Sequence, residues 1–189
     1  MPYRSSDHWS RRAKEAGYAA RSVFKLDEIA SKVALPKRGV ALDLGCFPGS
    51  WSKWLGEHGF RVVGVDLQAP ALPGTFITCS VFDVEQDELA VALGGPPDLV
   101  VSDMAPNTSG DRFTDHCRQI ALADRALELA IGLLRPGGGF VAKVFDGEDA
   151  PAYTARVKAA FTDVKRIKPD ATRGRSVEFF LAGTGFRGA

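Results

Sequence analysis

Lys143 interrupts an apolar run, Phe140-Val-Ala-Lys143-Val-Phe145. Charge inside such a run is poorly solvated, so the lysine needs a partner or a purpose. Desolvation and a second nearby cation lower a lysine's pKa and let it serve as a base toward a hydroxyl. A structural ion pair is the competing explanation. Carboxylates recur where other apolar runs end: Asp43 in Val40-Ala-Leu-Asp43, Asp66 after Arg61-Val-Val-Gly-Val65, and Asp103 after Asp98-Leu-Val-Val-Ser102. Asp83 lies shortly beyond Thr75-Phe-Ile-Thr-Cys79. If these runs are strands of one parallel sheet, their ends share an edge and the acids line a crevice.

The elements that must position these groups follow from the pattern. Val40 to Leu44 reads as a first strand, Gly45-Cys-Phe-Pro48-Gly49 as a tight turn, and Ser52 to His58 as a helix. Arg61–Val65 completes a βαβ unit. Asp66 then falls about 20 residues after the turn begins, where nucleotide-binding α/β folds place a ribose-binding carboxylate. Thr75–Cys79, Asp98–Ser102 and Phe140–Phe145 read as the next three strands, and Val164–Lys168 with Ser176–Gly183 as a final antiparallel pair. Helices are expected over Ser22–Val33 with Ser22 as N-cap, and over Asp87–Leu93, Asp115–Leu134 and Ala150–Phe161; Ser10–Ala20 shows no clear apolar stripe. The alternation predicts an α/β fold: a Rossmann-like, mostly parallel seven-stranded sheet with helices on both faces.

The turn lacks the Lys-Ser/Thr of a P-loop and is not G-x-G-x-x-G. A pocket rimmed by acids repels a pyrophosphate and suits a positively charged nucleoside. S-adenosylmethionine fits that description through its sulfonium, ammonium and ribose diol; a dinucleotide is the alternative. Charge is unevenly spread. Residues 1–38 hold nine basic and four acidic side chains, a surplus of five, which leaves the rest of the chain about four negative. Such an arm suits a phosphate-backbone partner, or else is a solvated amphipathic helix. We therefore read 1–38 as a basic, RNA-facing arm with a helix and 39–189 as the main domain, the whole forming one globular unit. Cys46, Cys79 and Cys117 are odd in number and lack metal-ligand spacing, so reduced thiols, a cytoplasmic protein and no metal are expected. The N-terminus has no signal-like apolar core, and no apolar run is long enough to span a bilayer.

Several segments together resemble the RrmJ/FtsJ family of S-adenosylmethionine-dependent ribose 2'-O-methyltransferases. They are Arg21-Ser-Val-Phe-Lys25-Leu-Asp-Glu-Ile29, Asp43 through Trp51, Ser102-Asp103-Met-Ala-Pro-Asn107 with Ser109-Gly110, Lys143-Val-Phe-Asp-Gly-Glu148, and Lys168-Pro-Asp170 through Glu178. They run in family order along nearly the whole chain. The family is marked by a Lys-Asp-Lys-Glu tetrad, matched by Lys25, Asp103, Lys143 and Glu178.

The resemblance implies that Lys143 is the central catalytic residue, with Lys25 and Glu178 orienting the target ribose. It implies that Gly49 and Trp51 border the methionine part of the cofactor, with Gly45 and Pro48 also in the cofactor site. By the same resemblance Asp66 holds the ribose, Asp83 meets the adenine amino group and Asp103 lies near the sulfonium. Arg11, Arg12, Arg21, Arg173 and Arg175 would meet RNA phosphates, which position a strand without reading its sequence. The implied substrate is a uridine in the A-loop of large-subunit rRNA within the assembled subunit, and the implied state a monomer. The alternatives are 2'-O-methylation of tRNA or another RNA, or a non-catalytic RNA-binding assembly factor. The chain departs from the usual Ala-Ala-Pro-Gly-Gly-Trp loop at Cys46, Phe47 and Ser50.

Overall fold

The computed structural model describes residues 7–107, 109–172 and 176–188. The strands are β1 (Gly39–Leu44), β2 (Phe60–Asp66), β3 (Thr75–Thr78), β4 (Leu99–Ser102), β5 (Gly139–Phe145), β6 (Phe161–Ile167) and β7 (Glu178–Phe186). The helices are α1 (Asp7–Glu15), α2 (Val23–Lys32), α3 (Ser50–Glu57), α4 (Gln86–Leu93), α5 (Arg112–Leu133) and α6 (Ala150–Ala160). One seven-stranded sheet runs in the order β3-β2-β1-β4-β5-β7-β6. The first five in that order are mutually parallel, and β7 is antiparallel to both of its neighbours. The strand order reverses between β1 and β4, which are adjacent although β2 and β3 intervene in sequence. A sheet of this kind binds ligands outside the carboxyl ends of its strands, at such a reversal.

The central strands are apolar runs because both of their faces are covered. Side chains alternate between two cores. Leu42, Val100, Phe140, Ala142, Val144 and Phe179 pack with α4, α5 and α6. Ala41, Leu99, Val101, Val141 and Phe180 pack on the other face with α1, α2 and α3 through Ala13, Leu26, Ile29, Trp54 and Leu55. The period-two rule then assigns each charged residue a face. Lys143 shares parity with Val141, Asp103 with Val101 and Glu178 with Phe180. All three therefore belong to the α2 face, where Lys25 stands.

Local details depart from the sequence pattern in physical ways. The segment without an apolar stripe is nevertheless helical as far as Glu15, as part of α1, which buries Ala13; the rest of it is turn. Ser22 has helical backbone angles and makes no side-chain cap, so it is the preceding turn and not a cap that starts α2. Helix α3 begins at Ser50, so Trp51 belongs to its first turn rather than to the loop. Helix α5 starts earlier than its apolar stripe because Asp111 caps it, accepting from the Thr114 N–H at 2.8 Å. Phe161 begins β6 instead of ending α6, and its ring stacks on Phe140 with centroids 5.7 Å apart. No helix among the described residues is long and apolar enough to cross a membrane.

Candidate active site

Four charged side chains converge just past the carboxyl end of β4, near the carboxyl end of β5 and at the start of the antiparallel β7. Lys25 Nζ donates to Glu178 Oε1 at 2.5 Å and stands 3.8 Å from Asp103 Oδ1. Lys143 Nζ donates to the Asp103 carbonyl at 2.6 Å and to its Oδ1 at 3.0 Å. Asp103 therefore lies between the two lysines. Both lysines are buried, at 7% and 6% exposure, a state costing several kcal/mol for an unpaired ion. Each positive charge meets a carboxylate, and Lys25 Nζ also sits 5.4 Å from the Phe180 ring centroid. The residue types explain the assembly: α2 presents Leu26 and Ile29 to the sheet, which fixes Lys25 one turn away over β7.

Asp103 also faces a second space. A cavity of about 570 Å³ lies across the ends of β1, β2 and β4, lined by Gly45, Phe47, Asp66, Leu67, Phe82 and Asp103 among others. Its far wall is the loop Met104–Asn107 with Arg118, Ala121 and Leu122 of α5. Gly45 is required on this floor. Its φ is +81°, and a Cβ there would lie 2.5 Å from Met104 Cγ. Gly49 has φ +104°, and a Cβ would meet Leu72 Cδ1 at 2.6 Å. The turn is anchored from the next strand: the Phe47 N–H donates to Asp66 Oδ2 at 3.0 Å, and the Gly45 N–H to the Val65 carbonyl at 2.8 Å.

Asp43 lies fully buried near the cavity. Ser52 Oγ donates to its Oδ2 at 2.6 Å, while Oδ1 has no hydrogen-bond partner. Burial pushes this carboxyl up to about 7, opposed by the Ser52 hydrogen bond and reinforced by the charges of Asp103 and Asp66. Burial likewise pushes the Cys46 thiol up.

The residues expected from sequence divide accordingly. Lys25, Asp103, Lys143 and Glu178 meet in one group. Gly45, Asp66 and Asp103 line the cavity, whereas Pro48, Gly49, Trp51 and Asp83 are not among its lining residues. Trp51 is a strut: its Nε1–H donates to the Ser22 carbonyl at 2.8 Å, and its ring packs on Phe180. Asp83 is exposed, next to the cavity-lining Phe82. Arg11 and Arg12 are exposed on α1 and Arg21 is half-buried before α2; Arg173 and Arg175 lie outside the described residues. The Arg12 guanidinium stacks 4.9 Å from the Phe24 centroid and 5.6 Å from that of Trp9. Sequence reasoning missed the Asp43–Ser52 bond, although nine residues separate the pair across one strand–turn–helix unit. It also missed Leu67, Phe82 and Arg118, which carry no motif. Among the described residues no cluster of potential metal ligands occurs.

The sequence and the fold match known proteins. The family model for FtsJ-like methyltransferases matches residues 18–186. The chain belongs to this family. A Myxococcus xanthus relative, called ribosomal RNA large subunit methyltransferase E, is 44% identical over 192 residues, spanning 96% of this chain and 90% of its own. A relative of the same name from Desulfosudis oleivorans is 45% identical over 188 residues, with 95% and 90% covered. Among solved structures, a Plasmodium falciparum protein described as a ribosomal RNA methyltransferase superposes with a TM-score of 0.80 over 91% of this chain and all of its own. At 24% identity that likeness speaks for the fold alone. For this FtsJ-like chain the family implies a methyl donor and an acceptor, and the cavity and the charged group share Asp103 between them.

Proposed function

We propose that the protein transfers a methyl group from S-adenosylmethionine to a ribose 2'-hydroxyl of large-subunit ribosomal RNA, at a uridine of the A-loop in the assembled subunit. The observation that carries this reading is the single residue Asp103, which both lines the cavity and bonds Lys143. A donor held in the cavity and an acceptor held at Lys143 are thereby neighbours. The names of the relatives support the choice of RNA.

The cavity residues fit the donor. Its volume of about 570 Å³ suits a nucleoside-sized ligand. Asp66 and Asp103 supply negative charge for a diol and a cation, Phe47, Leu67 and Phe82 supply apolar walls for a base, and Asp43 adds an unpaired buried oxygen nearby. Asp66 would hold the ribose hydroxyls, Asp83 beside Phe82 the adenine amino group, and Asp103 the cationic end. Gly45, Pro48, Gly49 and Trp51 would shape the turn under the methionine part. The bound donor supplies a sulfonium-activated methyl group, so no metal is needed.

The chain's own task is then orientation and proton handling. Two donor positions of Lys143 Nζ are engaged by Asp103, which fixes the remaining one. Neutral Lys143 Nζ takes the 2'-hydroxyl proton as a base; in its charged form it orients the oxygen by hydrogen bonding. Lys25, tied to Glu178, holds the ribose. Arg11, Arg12 and Arg21, with Arg173 and Arg175, meet phosphates, and the 2'-hydroxyl marks the substrate as RNA. The protein acts as a monomer in the cytoplasm.

The test supplies labelled S-adenosylmethionine with unmodified large ribosomal subunits and, separately, bulk tRNA. Label at one alkali-resistant ribose linkage of the large-subunit RNA is expected. Label on tRNA alone would keep the chemistry and overturn the substrate, and no label on either would overturn the reading.

A further inference from the structure

Strand β4 stops pairing with β5 at the couple Ser102–Ala142, because the chain turns away there to deliver Asp103. On its other edge β5 stays paired with β7 as far as Phe145–Glu178. The last turn of β5 therefore loses its parallel neighbour at the residue that carries the central ammonium. In a parallel ladder the carbonyl of one residue and the N–H two residues later face the same side, so the Lys143 carbonyl and the Phe145 N–H are left together. Buried backbone groups of this kind need partners.

A side chain supplies both. Gln119 of α5 is 1% exposed. Its Nε2–H donates to the Lys143 carbonyl at 2.7 Å, and its Oε1 accepts from the Phe145 N–H at 3.1 Å. Only one orientation of the amide satisfies both contacts. One turn earlier, Asp115 fastens the loop that follows Asp103, accepting from the Ser109 N–H at 2.7 Å and the Gly110 N–H at 3.2 Å. Those bonds, the Ser109 backbone bond foremost, hold its carboxyl below the usual carboxylate range. Thus one helix face grips the segments on either side of the gap, from the sheet face opposite Lys25.

We propose that Gln119 is a positioning residue for Lys143: its amide replaces the missing residue of β4 and holds the backbone from which the Lys143 ammonium reaches Asp103. The proposal rests on the reading of Lys143 as the residue that meets the acceptor hydroxyl. Gln119 touches neither donor nor acceptor. It acts by keeping the end of β5 from drifting once β4 has left.

The test uses the full chain as Gln119→Leu, Gln119→Glu and Lys143→Ala, assayed for transfer to unmodified large subunits and for S-adenosylmethionine binding. Gln119→Leu should lower kcat about 10- to 100-fold, the scale of an ångström of misplacement, with KM and donor Kd unchanged. In Gln119→Glu the protonated acid both donates and accepts as the amide does, whereas the ionised acid only accepts. Its kcat relative to wild type should therefore rise as pH is lowered; within one turn on α5 stand Asp115, bonded to Ser109 and Gly110, His116, which faces Asp149 at 3.2 Å, and Arg118, while the Lys143 side chain leaves β5 on the opposite sheet face. Wild-type kcat in Gln119→Leu, or a ratio for Gln119→Glu that is flat with pH, would overturn the proposal. If Gln119→Leu does not fold, the ratio for Gln119→Glu decides alone. Full turnover in Lys143→Ala would overturn the role of Lys143 itself, whatever the Gln119 variants do.

Discussion

Beside α2, two lysines and two carboxylates are packed so that each charge meets its opposite within 3.0 Å, through Lys25–Glu178 and Lys143–Asp103. In the cavity the balance is different. Asp66 and Asp103 line it and Asp43 is buried nearby, while Phe47 and Phe82 stay half open to solvent at 45% and 53%. The first region is neutral and held by its own bonds, which suits the placing of a weak nucleophile. The second is acidic with flat apolar walls, which suits a cationic nucleoside. Asp103 is common to both, so in the proposed function the two tasks meet at one residue.

The comparison is broken most strongly at Lys143. Lys143→Ala should lower kcat for methyl transfer about 10²- to 10⁴-fold, the range of a lost acid–base group, as read by label incorporation. Next is Asp43, whose carboxyl burial pushes from 3.8 up to about 7. Between those pH values the folded protein holds a proton that the unfolded chain releases, so Asp43 lowers stability as pH rises through the window, and its effect levels off above it. Asp43→Asn should therefore be more stable than wild type by on the order of a few kcal/mol at pH 8 and nearly equal at pH 4 by urea unfolding. A difference independent of pH would remove the buried carboxylate as its cause.

Glu178→Gln should have a smaller effect. It leaves Lys25 with Asp103 at 3.8 Å as its nearest carboxylate, and should raise KM for the RNA more than it lowers kcat. The smallest effect belongs to Phe47→Ala, which should leave unfolding free energy within about 0.5 kcal/mol because the ring is a surface side chain. Donor affinity should nonetheless weaken, and an unchanged value would take Phe47 out of the cavity wall.

Much of this arrangement was legible from residue order. Strand ends marked by Asp43, Asp66 and Asp103, and a lysine inside an apolar strand, were enough to place the edge where these groups meet. The parity of Lys143 and Glu178 brings them to one face with Asp103. What escaped were contacts between groups distant in sequence or outside motifs. Leu67, Phe82 and Arg118 line the cavity only because β2, β3 and α5 converge there. Ser22 reads as a cap by type, yet its backbone is already helical. Gln119 left a faint mark: with Asp115 and Ala123 it follows the spacing of four residues along the buried side of α5, where a polar residue requires a partner.

The division of labour along the sheet edge is tested most directly by calorimetric titration of S-adenosylmethionine into wild type, Lys143→Ala and Asp66→Ala. Lys143→Ala should bind the donor with unchanged Kd, and Asp66→Ala about ten- to a hundredfold more weakly, the loss expected for hydrogen bonds to a charged group. An unchanged Kd in Asp66→Ala, or a loss of binding in Lys143→Ala, would contradict the assignment of the donor to the cavity and of the acceptor to the charged group.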